Sequence, residues 1–348
     1  MNEPSFALRR ELTARLRENR QGIAERVAKA FSRRPSDDHA HLDGEEIAAH
    51  LDFLAGAVEG GTVSAFADYA RWTARVAQAR NIPPAFVAES FRRIEEALGG
   101  TLAPEFRPVV SPFLAAGRAA ALAGDEPAGE AEEEDPLALH RRIFLQAILA
   151  GRRDAAVNVV LEALDNGHDL RDLYVEIFQK ALYEVGRLWE ANRITVADEH
   201  LATAVTQYVV ARAYERLPTA ETHRGRAIIT GVQGELHQVG ANMVADLLEA
   251  DGWDVRFLGT DMPAGDILTM TRDHQAELLG ISATMLFNLP QVIALVERLR
   301  AELGTAAPRI ILGGGAFRLL PELPAELKVD AVATELRQGV ELARSLQQ

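Results

Sequence analysis

From about residue 225 onward, short β-rich runs alternate with helical segments, and this pattern restricts the fold more than any other feature of the sequence. The runs are Ala227-Ile228-Ile229-Thr230, Val255-Arg256-Phe257-Leu258, Leu278-Leu279-Gly280-Ile281, Ile310-Ile311-Leu312 and Ala331-Val332-Ala333. A strand that returns to its own sheet through a helix pairs in parallel, and the crossover is right-handed. Five such runs predict a doubly wound, flavodoxin-like five-stranded parallel sheet over residues 223–348. Ligands of such sheets sit beyond the carboxyl ends of the strands.

Upstream the period is helical. Within residues 137–218, Ile143, Ile148 and Leu149 share one stripe, and Val159, Val160 and Leu164 share the next. Leu170 to Trp189 is long and apolar-periodic. Thr195 followed by Asp198 resembles a capping box opening a helix through Leu201, Val205, Tyr208 and Val209, so a four-helix bundle is expected. Residues 1–123 carry further helical stripes at Leu8, Leu12 and Leu16, at Phe53, Leu54 and Val58, and at Phe66, Tyr69, Ala70 and Val76. They predict a separate all-α domain of five or six helices. Between them, residues 124–136 hold seven acids and no base, which reads as a solvated linker. The fold class is therefore α/β plus all-α.

There is no cysteine, which excludes disulfides, thiolate metal sites, a thiol nucleophile and any thioether-linked cofactor. A net charge of -14 repels phosphate backbones and anionic lipid, so neither a nucleic-acid nor a membrane partner is expected. The polar N-terminus and the lack of a long apolar run point to a cytoplasmic protein. His39, His41 and His50 near Asp37, Asp38 and Asp43 read as a solvated loop rather than a metal site.

The unusual residues all fall after strand ends: Glu235-Leu236-His237-Gln238-Val239-Gly240 after the first, Ser282-Ala283-Thr284 after the third, Gly313-Gly314-Gly315 after the fourth. Glycines let a bulky ligand approach the backbone, and a helix opening near Val239 presents free N–H groups. The first loop lacks both G-x-G-x-x-G and a Walker ending, so dinucleotide and P-loop readings lose support. A carboxylate two residues before a histidine can bind one imidazole nitrogen and leave the other to a metal. With a single histidine here, a zinc held by three protein ligands does not fit, whereas a metal already held by a macrocycle does.

Glu235-x-His237-x-x-Gly240, Ser282-x-Thr284 and Gly313-Gly314 resemble the cobalamin-binding domain, with Glu at the position usually held by Asp. The resemblance implies that His237 is the lower axial ligand of cobalt. It also implies that the displaced nucleotide tail threads past Ser282, Thr284 and the glycines. Trp189 and Glu199-His200, in a Trp-x9-Glu-His spacing, resemble the four-helix cap of CarH-type adenosylcobalamin photoreceptors, where Trp and Glu contact the adenosyl group. On the residues alone, Trp189 also suits the bundle core and Glu199 a first helical turn favoured by the dipole. Glu190 stands where that type has a histidine, which leaves His200 as a nearby upper-face candidate.

The N-terminal domain resembles helical sensor modules and is globin-sized, a layout similar to photocobilins. That resemblance implies a linear tetrapyrrole such as biliverdin, held without a thioether, near Tyr69, Arg71, Trp72 and Arg75; the same residues also suit a helix flank. The set implies a cobalamin-binding light sensor rather than an enzyme, signalling to its N-terminal domain or a downstream protein, with a homo-oligomer also open. The rival expectation is a corrinoid carrier of a methyltransferase system, which has a similar bundle-plus-sheet layout and needs methyltransferase partners.

Overall fold

The computed structural model describes residues 4–31, 43–123, 135–218, 220–221, 223–320, 323–324 and 326–347. His39, His41, Asp37, Asp38 and nearly all of the acidic linker lie outside the described residues. The chain packs as two bodies. One comprises residues 1–126 with 283–298 and 315–328; the other comprises 127–282, 299–314 and 329–348.

The first body is built on α1 (Phe6–Phe31), α2 (Gly44–Gly60), α3 (Val63–Ala79), α4 (Pro84–Gly99) and α5 (Arg107–Leu122). Asp43 caps α2 by accepting from the Glu45 and Glu46 N–H groups, while the Glu46 side chain accepts from the Asp43 N–H. Leu12, Leu16, Leu51, Leu54, Phe66, Phe91 and Leu114 fill the core, in keeping with the apolar stripes. Tyr69 is part of that core rather than a surface for a tetrapyrrole. Its ring stacks on Phe53 at 3.8 Å, and its hydroxyl lies 2.7 Å from His50 Nδ1. His50 is buried in α2, not in a solvated loop, and burial pushes its imidazole down to about 4, so it is neutral. Arg71 pairs with Asp68 on its own helix. The globin-like and bilin expectations find no support in this domain.

In the second body, α6 (Ala138–Leu149) and α7 (Arg153–Asp165) are followed by a helix in three parts: α8 (Leu170–Leu173), a π-helical turn Tyr174–Gln179, and α9 (Lys180–Glu190). The helix α10 (Val196–Ala213) completes the bundle. The Thr195–Asp198 capping box is present as expected. Two stripes need correction: in α6 Ile143 is exposed while Ile148 is buried, and α10 departs as well. Val205 and Val209 are buried, but Leu201 and Tyr208 are exposed, Tyr208 lying beneath the Arg153 guanidinium. A helix that is apolar on two sides cannot show by period alone which side is the core.

The sheet contains β1 (Gly225–Gly231), β2 (Trp253–Phe257), β3 (Leu278–Ser282), β4 (Arg309–Gly313) and β5 (Ala331–Ala333), all parallel in the order β2-β1-β3-β4-β5. Helices α11 (Val239–Ala250), α12 (Ala264–Asp273), α13 (Leu289–Leu303), α14 (Gly315–Arg318) and α15 (Leu336–Ser345) follow the five strands in turn. This is the expected flavodoxin-like order. Phe144, Tyr174 and Phe178 of the bundle share one buried core with Val239, Met243 and Leu336 around the sheet. At roughly 1.5–3 kcal/mol for each fully buried large side chain, this continuity holds the bundle against the sheet. Among the described residues, no helix is long and apolar enough to cross a membrane.

Candidate functional site

The loop after β1 is shaped by backbone constraints. Gly234 has φ +87°, where a Cβ is strained, and its N–H donates to Asp261 Oδ1 at 2.8 Å. The Glu235 N–H donates to the Val232 carbonyl at 3.0 Å, closing the turn. This turn sends consecutive side chains in opposite directions. Glu235 is 0% exposed, Leu236 is 75% exposed, and the His237 side chain is 55% exposed. Glu235 Oε1 accepts from the His237 backbone N–H at 2.9 Å and from Nδ1 at 2.6 Å. With Nδ1 donating to the buried carboxylate, Nε2 carries the available lone pair. The Glu235 hydrogen bond raises the His237 pKa above its ordinary value. Partial burial opposes it, and the charges of Glu235 and Glu199 add to the rise.

Strand register sets small residues side by side at the carboxyl edge of the sheet. Gly231 pairs with Ser282, Ser282 with Gly313, and Gly313 with Ala333. The lip across β1, β3, β4 and β5 therefore carries no side chain larger than a hydroxymethyl. Gly314 has φ +104°, which favours glycine. At Gly240, on the first turn of α11, an added Cβ would meet nothing within 4 Å, so protein packing does not demand this glycine. Thr284 belongs to the first body, and its carbonyl lies 3.2 Å from where a Gly315 Cβ would sit.

On the bundle, Trp189 is half-buried on the last turn of α9, and Glu199 occupies the first turn of α10. Glu199 accepts from the Thr203 hydroxyl at 3.0 Å and pairs with His200 Nδ1, and His200 is exposed. Glu199 is close enough to His237 for its charge to act on that imidazole. The structure thus brings Glu199 into the neighbourhood of Glu235 and His237. It aligns Ser282 with Gly313 in the sheet, and places Thr284 on the segment that follows.

The donor set can be tested against a macrocycle-bound metal. Among the described residues, no group of three or more His, Cys, Asp or Glu side chains is placed to hold a bare ion. One exposed imidazole, oriented by a buried carboxylate beside a lip of small residues, fits a metal already held by a macrocycle. Glu235→Gln keeps an acceptor but removes the charge that orients and polarises His237. About a tenfold loss of corrinoid affinity is expected, read by absorbance titration; unchanged affinity would count against this role for Glu235.

Sequence reasoning singled out Glu235, His237 and Gly240 of this loop but missed Asp261, which holds the loop from beyond β2. Gly231 and Ala333 were also missed as parts of the lip, since only strand register reveals that they stand beside Ser282 and Gly313. For Asp261 the available signal was its place in the polar Gly259-Thr260-Asp261 run just beyond β2.

Comparison with known proteins agrees with this geometry. Residues 225–343 match the family model of the B12 binding domain, and residues 141–214 match a second model of the same description. A corrinoid protein of Desulfitobacterium hafniense is 24% identical over 206 residues, covering 58% of this chain and 94% of its own length. A dimethylamine corrinoid protein of Methanosarcina barkeri is 24% identical over 199 residues, covering 54% and 91%. The solved structure of the Methanosarcina barkeri monomethylamine corrinoid protein shares the fold. Its TM-score is 0.52 at 22% identity, with 58% of this chain and 96% of that one covered.

Proposed function

We propose that this protein is a corrinoid carrier that shuttles methyl groups between partner methyltransferases. The observation that carries the reading is the exposed His237 imidazole with its Nδ1 held 2.6 Å from the fully buried Glu235. It is supported by the B12 binding domain matches over both the bundle and the sheet, and by relatives named as corrinoid proteins, of which this chain covers 91–94%. These relatives overturn the light-sensor expectation. Several of them are named dimethylamine corrinoid proteins. Glu190, where the CarH type has a histidine, is consistent with that correction.

When bound, the corrinoid supplies a cobalt centre able to accept and release a methyl group. In this reading His237 Nε2 would bind the cobalt, and Glu235 would fix the tautomer and direction of the imidazole. Ser282, Thr284, Gly313 and Gly314 receive the nucleotide tail, and the bare first turn at Gly240 lets the ring approach. Trp189, Glu199 and His200 of the bundle would line the approach by which a partner reaches the bound cofactor. The chain positions the cofactor, and the methyltransferases supply the groups that activate donor and acceptor. By analogy with its relatives, a methylated amine is the first donor to test.

The test is to purify the protein in darkness and identify the alkyl group that co-purifies with the corrinoid by mass spectrometry. Methyl is the expected result. Adenosyl as the sole alkyl group would overturn the carrier reading.

A further inference from the structure

The segments that follow β3 and β4 pack with the N-terminal helices. Residues 283–298 and 315–328 belong to the same body as the N-terminal helices. Within that body, α2 approaches the turn Leu286–Asn288 so closely that a Cβ on Gly56 would lie 2.2 Å from the Leu286 carbonyl oxygen. One helical turn later, a Cβ on Gly60 would lie 2.8 Å from Leu320 Cδ2 and 3.1 Å from Leu289 Cδ2. Leu286, Leu289 and Leu320 are all buried. Phe287 meets the Phe53 ring edge-on at 5.2 Å. Farther along, Arg10 of α1 bridges the buried Glu59 of α2 and Glu297 of α13. The Ala316 N–H donates to the Ala283 carbonyl at 3.1 Å, so the two loop segments are also tied to each other.

These contacts act on the segments that continue directly from Ser282 and Gly314. We propose that the N-terminal helical domain is a positioning element for the tail loops, making the protein selective for complete, tail-bearing corrinoids. The inference rests on the corrinoid reading above. The physical argument is preorganisation: a loop held in its binding conformation loses less entropy when a ligand seats against it. A Gly56 side chain would meet a backbone carbonyl, which cannot swing aside as a side-chain tip can, so the turn itself must move. A displaced turn weakens binding of any ligand part that uses these loops and spares parts that do not. His237, on a different loop, is untouched.

The test compares the full-length protein with Gly56→Leu, using cobalamin and cobinamide, which lacks the nucleotide tail. Absorbance titration should show cobalamin affinity falling about tenfold in the variant and cobinamide affinity unchanged. Equal losses for both ligands, or no loss for either, would overturn the proposal. Should the variant fail to fold, hydrogen exchange on the unaltered protein decides. Amides of residues 44–60 and 283–290 should slow with cobalamin and not with cobinamide, and equal protection by both would overturn it. Binding of neither compound by the unaltered protein would instead bring down the corrinoid reading, and this inference with it.

Discussion

His237→Ala is expected to abolish histidine ligation of cobalt and to weaken cobalamin binding by about a hundredfold or more. The estimate starts from the roughly 10- to 100-fold cost of losing a partner that only orients a metal ligand. Losing the ligand itself exceeds that, so roughly 3 kcal/mol or more of binding free energy is at stake. The cobalamin spectrum in the unaltered protein should show nitrogen ligation with the nucleotide base displaced. In the variant that signature should vanish, and added imidazole should restore part of it. Because the substitution also takes a donor from the fully buried Glu235 carboxylate, the apo-protein should lose roughly 1–3 kcal/mol of stability, and cobalamin binding is compared under conditions where both proteins are folded. A variant that keeps the nitrogen-ligated spectrum would remove the basis of the functional reading.

That assignment is legible in the sequence because its chemistry is local. Glu235 and His237 are two residues apart, and a carboxylate can reach a neighbouring imidazole only through a turn that Gly234, with φ +87°, permits. The five strands are legible for a similar reason: each β-rich run is short and bounded by helical stretches, and the parallel order follows from the connections. Features set by tertiary packing are not legible. Tyr69 occupies the same helix as Arg71 and Trp72, and nothing in the spacing shows that its ring stacks on Phe53. The exposure of Leu201 and Tyr208 depends on which side of α10 meets the other helices. The π turn at Tyr174–Gln179 interrupts an otherwise regular apolar period without any breaker residue. Least visible is the association of residues 283–298 and 315–328 with the N-terminal helices, which joins segments more than 200 residues apart. The choice between light sensing and methyl carriage is also beyond the motif, since both uses need the same imidazole and the same lip.

Asp246→Asn should stabilise the protein near pH 7.5 by up to about 3 kcal/mol while changing little near pH 4. Asp246 lies on α11, the helix that begins two residues after His237, and is 8% exposed. Its Oδ2 accepts from the hydroxyl of Tyr174 at 2.9 Å and from Asn242 Nδ2 at 3.4 Å, with Glu249 nearby on the same helix bonded to Tyr214. Burial pushes the Asp246 carboxyl up from 3.8 to about 6; the Tyr174 hydrogen bond partly offsets this, and the Glu249 charge adds to it. The folded chain therefore holds a proton through a pH range in which the unfolded chain has released it. The stabilisation from this group is complete below about 4 and is lost as the pH rises through about 6. Asparagine keeps an acceptor for Tyr174 and has no charge to bury, so the variant lacks this slope. Urea unfolding of both proteins between pH 4.5 and 8 measures the difference, and parallel curves across that range would refute the account. Tyr174→Phe acts in the opposite sense at neutral pH. It leaves the ionised carboxylate without its hydroxyl donor, a loss of roughly 1–3 kcal/mol. Tyr174 opens the π turn of the helix that ends at Glu190, so this one hydrogen bond links the helix bearing Trp189 to the helix that follows His237.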